Sequence, residues 1–154
     1  MKKLMTEWRK FLKEEIKITI GKAMDLVCPP ATQDVELNTK NRDAAFQAEH
    51  IKYGPLSVDE PGDYYEKHAE YFDTTVEAVL STKCGNCVAF DISPRMLECM
   101  PGEVTDKDGM LGYCWMHHFK CHSARTCRTW AKGGPIKEDD VSASWQEKAN
   151  FEEK

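Results

Sequence analysis

Six of the seven cysteines in this 154-residue chain fall between residues 84 and 127: Cys84, Cys87, Cys99, Cys114, Cys121 and Cys127. Their local density is far above the ~8–10% that marks disulfide or metal scaffolds. Cys84 and Cys87 form a C-x2-C pair. Two intervening residues let a tight turn aim both sulfurs at one centre, with the turn amides pointing the same way. Gly85 permits a positive φ in such a turn and Asn86 tolerates one. Zinc sites, iron–sulfur clusters and dithiol redox centres all use this spacing. Cys28 stands apart before Pro29-Pro30 and reads as a free thiol.

The surroundings carry charge and rings. Residues 115–132 hold Lys120, Arg125, Arg128 and Lys132 with no acid, in a chain of net charge −5. Local cations offset the negative charge of a four-thiolate centre, whether zinc or a cubane cluster. Phe90, Tyr113, Trp115, Phe119 and Trp130 flank the cysteines. They read first as a small core, with a dry shell around a redox centre as the alternative. His117, His118 and His122 are further candidate ligands, with a solvent-facing role as the alternative.

The segments Cys84-Gly85-Asn86-Cys87-Val88-Ala89-Phe90, Cys99-Met100-Pro101-Gly102-Glu103-Val104 and Gly112-Tyr113-Cys114 resemble the pattern of high-potential iron–sulfur proteins. The resemblance implies a small loop-rich domain, one-electron transfer, and a [4Fe-4S] cluster held by Cys84, Cys87, Cys99 and Cys114. Cys121 and Cys127 have no counterpart in that pattern. They are left as a disulfide closing a short loop, as alternative ligands displacing Cys99, or as buried thiols. The longer frame through Phe119-Lys120-Cys121, Arg125-Thr126-Cys127 and Gly133-Gly134-Pro135-Ile136 is similar to small proteins of marine tailed phages. This likeness suggests a source, with the host cytoplasm or the virion as the location. A zinc-stapled structural or interaction module and a disulfide-stapled virion protein are the competing readings.

Other classes are excluded on motif and composition. G-x-S-x-G, P-loop, G-x-G-x-x-G, H-E-x-x-H and C-x3-C-x2-C are all absent. An electron carrier or accessory protein is therefore expected rather than an enzyme, with an unidentified redox protein as its partner. Leu, Ile, Val and Phe number 8, 6, 8 and 6, which is 28 of 154 residues, too few for a large aliphatic core. A thin core needs a staple, and the cysteines supply one. No window has the ~20 apolar residues of a membrane span. Met1-Lys2-Lys3-Leu4-Met5 passes at once into charged residues without a secretory apolar stretch, so a cytoplasmic chain is expected. The acidic balance argues against nucleic acid as a main partner.

The elements that must position the cysteines read as a small, irregular, loop-rich α+β fold with short helices around a metal cluster. Three regions are expected: an N-terminal helix and linker (1–49), a cysteine-rich iron–sulfur domain (50–136) and an acidic tail (137–154). Residues 1–27 read as a basic amphipathic helix, with Leu4, Met5, Trp8, Phe11, Leu12 and Ile16 on a face that docks on the protein itself or a partner. Residues 31–49 read as a linker or loose helix. Asp63 and a Thr74/Glu77 capping box start two helices, and residues 57–80, with seven acids and one Lys, form a solvated acidic face or a dock for a basic partner. Short helices are expected near Pro94–Glu98 and Trp115–Phe119, with no large sheet. The tail reads as weakly ordered, anchored by Trp145 and Phe151.

Overall fold

A computed structural model describes residues 27–100 and 102–149; the predicted 1–27 helix lies outside them except for its last residue. The fold is small α+β, with six short helices and a four-stranded antiparallel sheet. The helices are α1 (Pro30–Gln33), α2 (Val35–Gln47), α3 (Tyr64–Tyr71), α4 (Val76–Leu80), α5 (Pro94–Cys99) and α6 (Asp139–Ala149). The strands are β1 (Phe90–Asp91), β2 (Thr105–Asp106), β3 (Gly109–Cys114) and β4 (Phe119–His122). No helix among the described residues is long and apolar enough to cross a membrane.

β3 is the hub. It pairs with β1 through Phe90↔Cys114 and Asp91↔Tyr113, with β2 through Thr105↔Met110, and with β4 from Leu111↔His122 to Cys114↔Phe119. Gly112 makes this possible, because a Cβ there would stand 2.6 Å from the Phe90 ring. Residues 115–118, expected to be helical, are instead the turn joining β3 to β4, and His118 adopts a φ of 57° within it. The ladder on both sides demands a reversal there.

The 31–49 stretch is firmer than its composition suggests. Pro30 occupies the first turn of α1, where its missing N–H costs nothing. Asp34 caps α2 by accepting from Leu37 N–H at 3.1 Å. α2 buries only Ala45 but is tied to the β3–β4 hairpin by side-chain amides. Lys120 N–H donates to Asn38 Oδ1 at 2.7 Å, and Asn41 Nδ2 donates to the His118 carbonyl at 2.7 Å. Polar docking leaves no hydrophobic stripe to read.

α3 begins after Asp63 as expected, and α4 starts one residue late. Thr75, not Thr74, is its cap, accepting from Ala78 N–H at 3.1 Å. All seven acids of 57–80 are exposed. α5 matches its expectation to within a residue, with Ser93 accepting from Met96 N–H at 3.3 Å.

The tail departs most from expectation. Residues 139–149 form α6, docked on α5 through a polar face that includes buried Ser142 and Gln146. Asp139 and Asp140 lie in its first turn and Lys148 in its last, each favourable to the helix dipole. Asp139 Oδ1 accepts from Arg95 N–H at 2.9 Å, and the Arg95 guanidinium donates to Gln146 Oε1 at 2.5 Å. Beneath lies Asp91, fully buried. Its Oδ2 accepts from Trp115 Nε1 at 2.9 Å and from the Ser142 hydroxyl, while Oδ1 accepts from Ser93 N–H at 2.9 Å.

Replacing Asp91 by Ala removes the acceptor that the Trp115 indole N–H and the Ser142 hydroxyl share. The expected loss is about 3 kcal/mol, because three hydrogen bonds to one buried side chain go at once. Urea denaturation measures it, and amide exchange should show α6 losing protection before the sheet.

Candidate functional site

The C-x2-C pair sits in a single 3-10 turn, Cys84–Asn86, with Cys87 N–H donating to the Cys84 carbonyl at 3.0 Å. Neither Gly85 nor Asn86 has a positive φ, contrary to the expectation for this turn. Gly85 serves close approach instead: a Cβ would stand 3.2 Å from the Ser123 carbonyl oxygen, which accepts Gly85 N–H at 3.0 Å. Trp130 clamps the turn from outside, its indole N–H shared between the Lys83 carbonyl at 2.9 Å and Asn86 Oδ1 at 2.8 Å. On the other flank Gly134 rides so close that a Cβ would fall 1.6 Å from the Cys87 carbonyl oxygen.

Around this turn gather five buried free thiols: Cys84, Cys87, Cys114, Cys121 and Cys127. Cys114 ends β3 and Cys121 lies in β4. The Cys121 thiol hydrogen-bonds with both Cys84 and Cys114. Main-chain amides point at three of the other sulfurs. Cys87 accepts from Ala89 and Ala131, Cys114 from Met116 and His117, and Cys127 from Thr129. The Thr129 hydroxyl also stands 3.1 Å from Cys127 Sγ.

These contacts divide the thiols electrostatically. The Cys121 thiol beside Cys114, together with the amides, holds Cys114 below its ordinary range. Burial pushes Cys121 well up, raises Cys87, and pushes Cys127 up to about 12.

Cys99 is not with them. It is disulfide-bonded to Cys28, with the Cα atoms 5.4 Å apart, which corrects the reading of Cys28 as a free thiol. A disulfide sulfur has no thiolate to give, so the set Cys84, Cys87, Cys99 and Cys114 is not assembled. Nor do Cys121 and Cys127 pair; both are free. The reason is topological: α5 carries Cys99 toward the 27–33 segment, where Gln33 Nε2 donates to the Cys99 carbonyl. Among the described residues, no three His, Cys, Asp or Glu side chains are gathered as one metal ion would need. The five free sulfurs fit a soft metal in donor chemistry, and as placed they form a thiol cluster rather than a coordination cage.

The flanking residues hold the surrounding chain. His117 Nε2 lies 2.6 Å from the Thr129 hydroxyl, and His118 Nδ1 lies 3.2 Å from the Tyr113 hydroxyl. His122 uses both nitrogens, Nε2 with Asp106 Oδ2 at 2.9 Å and Nδ1 accepting from Ala124 N–H at 3.0 Å. Arg125 donates to the Pro55 and Leu56 carbonyls, and Arg128 to Glu49 while stacking on Tyr71 at 3.9 Å. Phe90, Tyr113, Trp115 and Phe119 are buried as the core they were expected to form.

Two tyrosines escaped the sequence reading. Tyr53 packs edge-on to Phe119 with centroids 4.8 Å apart, and its phenol oxygen accepts from His122 N–H at 2.9 Å. Burial, then the nearby Cys121 and Cys84, push its phenol pKa far up. Tyr64 is raised likewise, by burial first and then by Cys127 and Cys84. Tyr53-Gly54-Pro55 reads only as a turn, and no motif marks either ring.

No protein-family model, curated protein or solved structure matches this chain.

Two outcomes follow from this arrangement. The raised thiols Cys87, Cys121 and Cys127 contribute stability that is full below their ordinary value of 9.0 and lost as pH climbs toward their folded values, about 12 for Cys127. Cys114 acts oppositely, its contribution being present above the ordinary value and lost as pH falls through the depressed one. With three thiols against one, the denaturation midpoint should fall progressively above about pH 9, and Cys127→Ser should flatten that fall. Separately, Gly134→Ala must displace the Cys87 carbonyl, so all five thiols should react faster with an aromatic disulfide reagent.

Proposed function

We propose that this protein is a thiolate metal protein that carries an iron–sulfur cluster for one-electron transfer or redox sensing. The ligands assigned are Cys84, Cys87, Cys114 and Cys127. The observation that carries this reading is the set of N–H···S bonds: Cys87, Cys114 and Cys127 each accept from the amide two residues on. Such amides favour the anionic form of sulfur, and a purely structural buried thiol has little use for them. A bound cluster would supply one-electron chemistry at a potential set by these hydrogen bonds and by burial.

The chain's own residues have definite parts in this reading. Trp130 and Gly134 hold the Cys84–Cys87 turn in shape from its two flanks. Phe90, Phe119 and Tyr53 exclude water. Cys121, lying against Cys84 and Cys114, is the protonated neighbour, its one S–H proton donated to Cys114. The Cys28–Cys99 disulfide favours a second reading, a disulfide-stapled structural protein in which the free thiols only pack.

Metal analysis after anaerobic expression with ample iron separates these. The expected protein is brown, with a broad thiolate-to-iron charge-transfer band and about four irons per chain. Cys99→Ser should retain iron and Cys127→Ser should lose it. The reverse pattern restores Cys99 as a ligand and overturns the assignment. Stoichiometric zinc without iron makes the protein a zinc-stapled module instead. A fold that survives chelators and is lost to reductant supports the disulfide reading.

A further inference from the structure

α3 and α4 pack on each other through a core of their own, Tyr65, Ala69 and Val79 flanked by Tyr64 and Val76, separate from the main cluster that encloses the thiols. Polar contacts tie this helix pair to the rest. The Tyr64 hydroxyl donates to the Lys52 carbonyl and lies 3.3 Å from that of Thr126. Lys83 Nζ donates to the Tyr65 hydroxyl at 2.5 Å, Asn86 Nδ2 donates to the Ser81 carbonyl at 2.9 Å, and Arg128 stacks on Tyr71. Between the pair and the 127–130 turn runs a cleft of about 230 Å³, its walls apolar and its lining inclusive of Cys127.

His68 belongs to the α3 wall of this cleft. It is 2% exposed, with the Tyr64 and Phe72 rings 5.6 and 5.2 Å away, and its Nδ1 has no hydrogen-bond partner. The charges that act on it, Arg128 and Lys83, are both positive. α4 contributes uncharged Ala78 and Val79 to the cleft, while its Glu77 is exposed. Glu49 and Asp63 line a second cleft that His68 also borders, and both are already paired, Glu49 with Arg128 and Lys52, Asp63 with Lys67. A neutral imidazole suits this place. An imidazolium has one more N–H to bury and no free carboxylate to meet it.

We propose that the α3–α4 pair is an acid-opened flap over the Cys127 side of the thiol cluster, with protonation of His68 as its trigger. The pair moves as a unit because its small core travels with it and the main core does not pass through it. Burial first, then Arg128 and Lys83, hold the His68 pKa below its ordinary 6.5. The closed flap therefore excludes a proton that the open one binds. Its attachment is complete above about pH 6.5 and is lost as pH falls below that value. Opening widens the cleft beside Cys127, so the flap sets when that thiol meets a reagent or a partner. None of this rests on the metal-centre reading.

Hydrogen exchange of the full-length chain, read by mass spectrometry at about pH 7.5 and about pH 5 and corrected for the intrinsic pH dependence of exchange, tests the flap. Protection over 64–80 should fall at least ~10-fold at the lower pH while the β3–β4 ladder holds. His68→Phe keeps a ring beside Tyr64 and Phe72 and takes no proton, so the fall should vanish. His68→Gln, polar and uncharged, should give the same result. In the unaltered chain, NMR should place the His68 titration midpoint below its ordinary value. An aromatic disulfide reagent at the lower pH should label Cys127 ahead of Cys121: the mixed disulfide forms, the reagent's S–S bond breaks, and the departing aromatic thiol takes up the thiol proton. Equal loss of protection over α3–α4 and the sheet, a fall that persists in both variants, labelling that begins at Cys121, or a His68 midpoint at or above the ordinary value overturns the flap.

Discussion

Enclosing five thiols in one interior is the constraint to which the rest of this fold answers. Sulfur is polarizable and compact, and a cysteine buries less area than a leucine or phenylalanine, so a core built on thiols is short of hydrophobic stabilisation. The main chain must therefore come close. Gly134 lies against the Cys87 carbonyl, Gly85 against Ser123, and Gly112 under the Phe90 ring. Each is a place where a side chain would hold two segments apart. The aromatic residues then supply the area that the sulfurs lack: Phe90, Tyr113, Trp115 and Phe119 are almost wholly buried around the cluster.

Attachment of the outer helices follows from the same shortage. With apolar surface committed to the centre, α2 and α6 are bound by amides, a carboxylate and a guanidinium. Asn38 and Asn41 reach the β3–β4 hairpin, while Asp91, Ser142, Arg95 and Gln146 knit α6 to α5 and the sheet. Buried polar contacts of this kind are demanding in geometry and costly when one member is missing, so they fix orientation more sharply than a greasy interface would. The Cys28–Cys99 disulfide adds a covalent tie across 71 residues. In the chain-entropy model a loop of that length contributes about 4 kcal/mol, a large share of the ~5–15 kcal/mol by which domains are stable.

This division explains what was legible. Local signals survived: the short helix at Pro94, the helix after Asp63, and the burial of the rings around the cysteines. Signals that depend on distant partners did not. α6 was unreadable because its buried face is Ser142, Ala143 and Gln146, which alone look like a solvated tail. α2 was read only as a linker or loose helix because its anchors are asparagines. The β3–β4 turn was taken for a helix because Trp115 and Phe119 have helical spacing, whereas Phe119 enters the core from β4 and Trp115 from the turn itself. At the site, a string of cysteines carries no pairing information, so Cys99 was grouped with its sequence neighbours although α5 turns it toward Cys28.

The electrostatics of the cluster bear directly on whether it suits ligation. A thiol at about 12 needs roughly 7 kcal/mol to ionise at pH 7, from five units at about 1.4 kcal/mol each. Left to themselves, buried sulfurs of this kind stay protonated and inert. The arrangement lightens the load where it is heaviest. Cys114 is already held low by the Cys121 thiol and two amides, and Cys87 and Cys127 each have amides waiting for the charge. Cys121, in mid-strand, is the sulfur that burial raises well above the ordinary range, and no main-chain amide is among the causes acting on it. Its natural part is to remain a donor. Three sulfurs, Cys87, Cys114 and Cys127, thus have main-chain amides that favour their charge, while Cys121 keeps its proton beside Cys114.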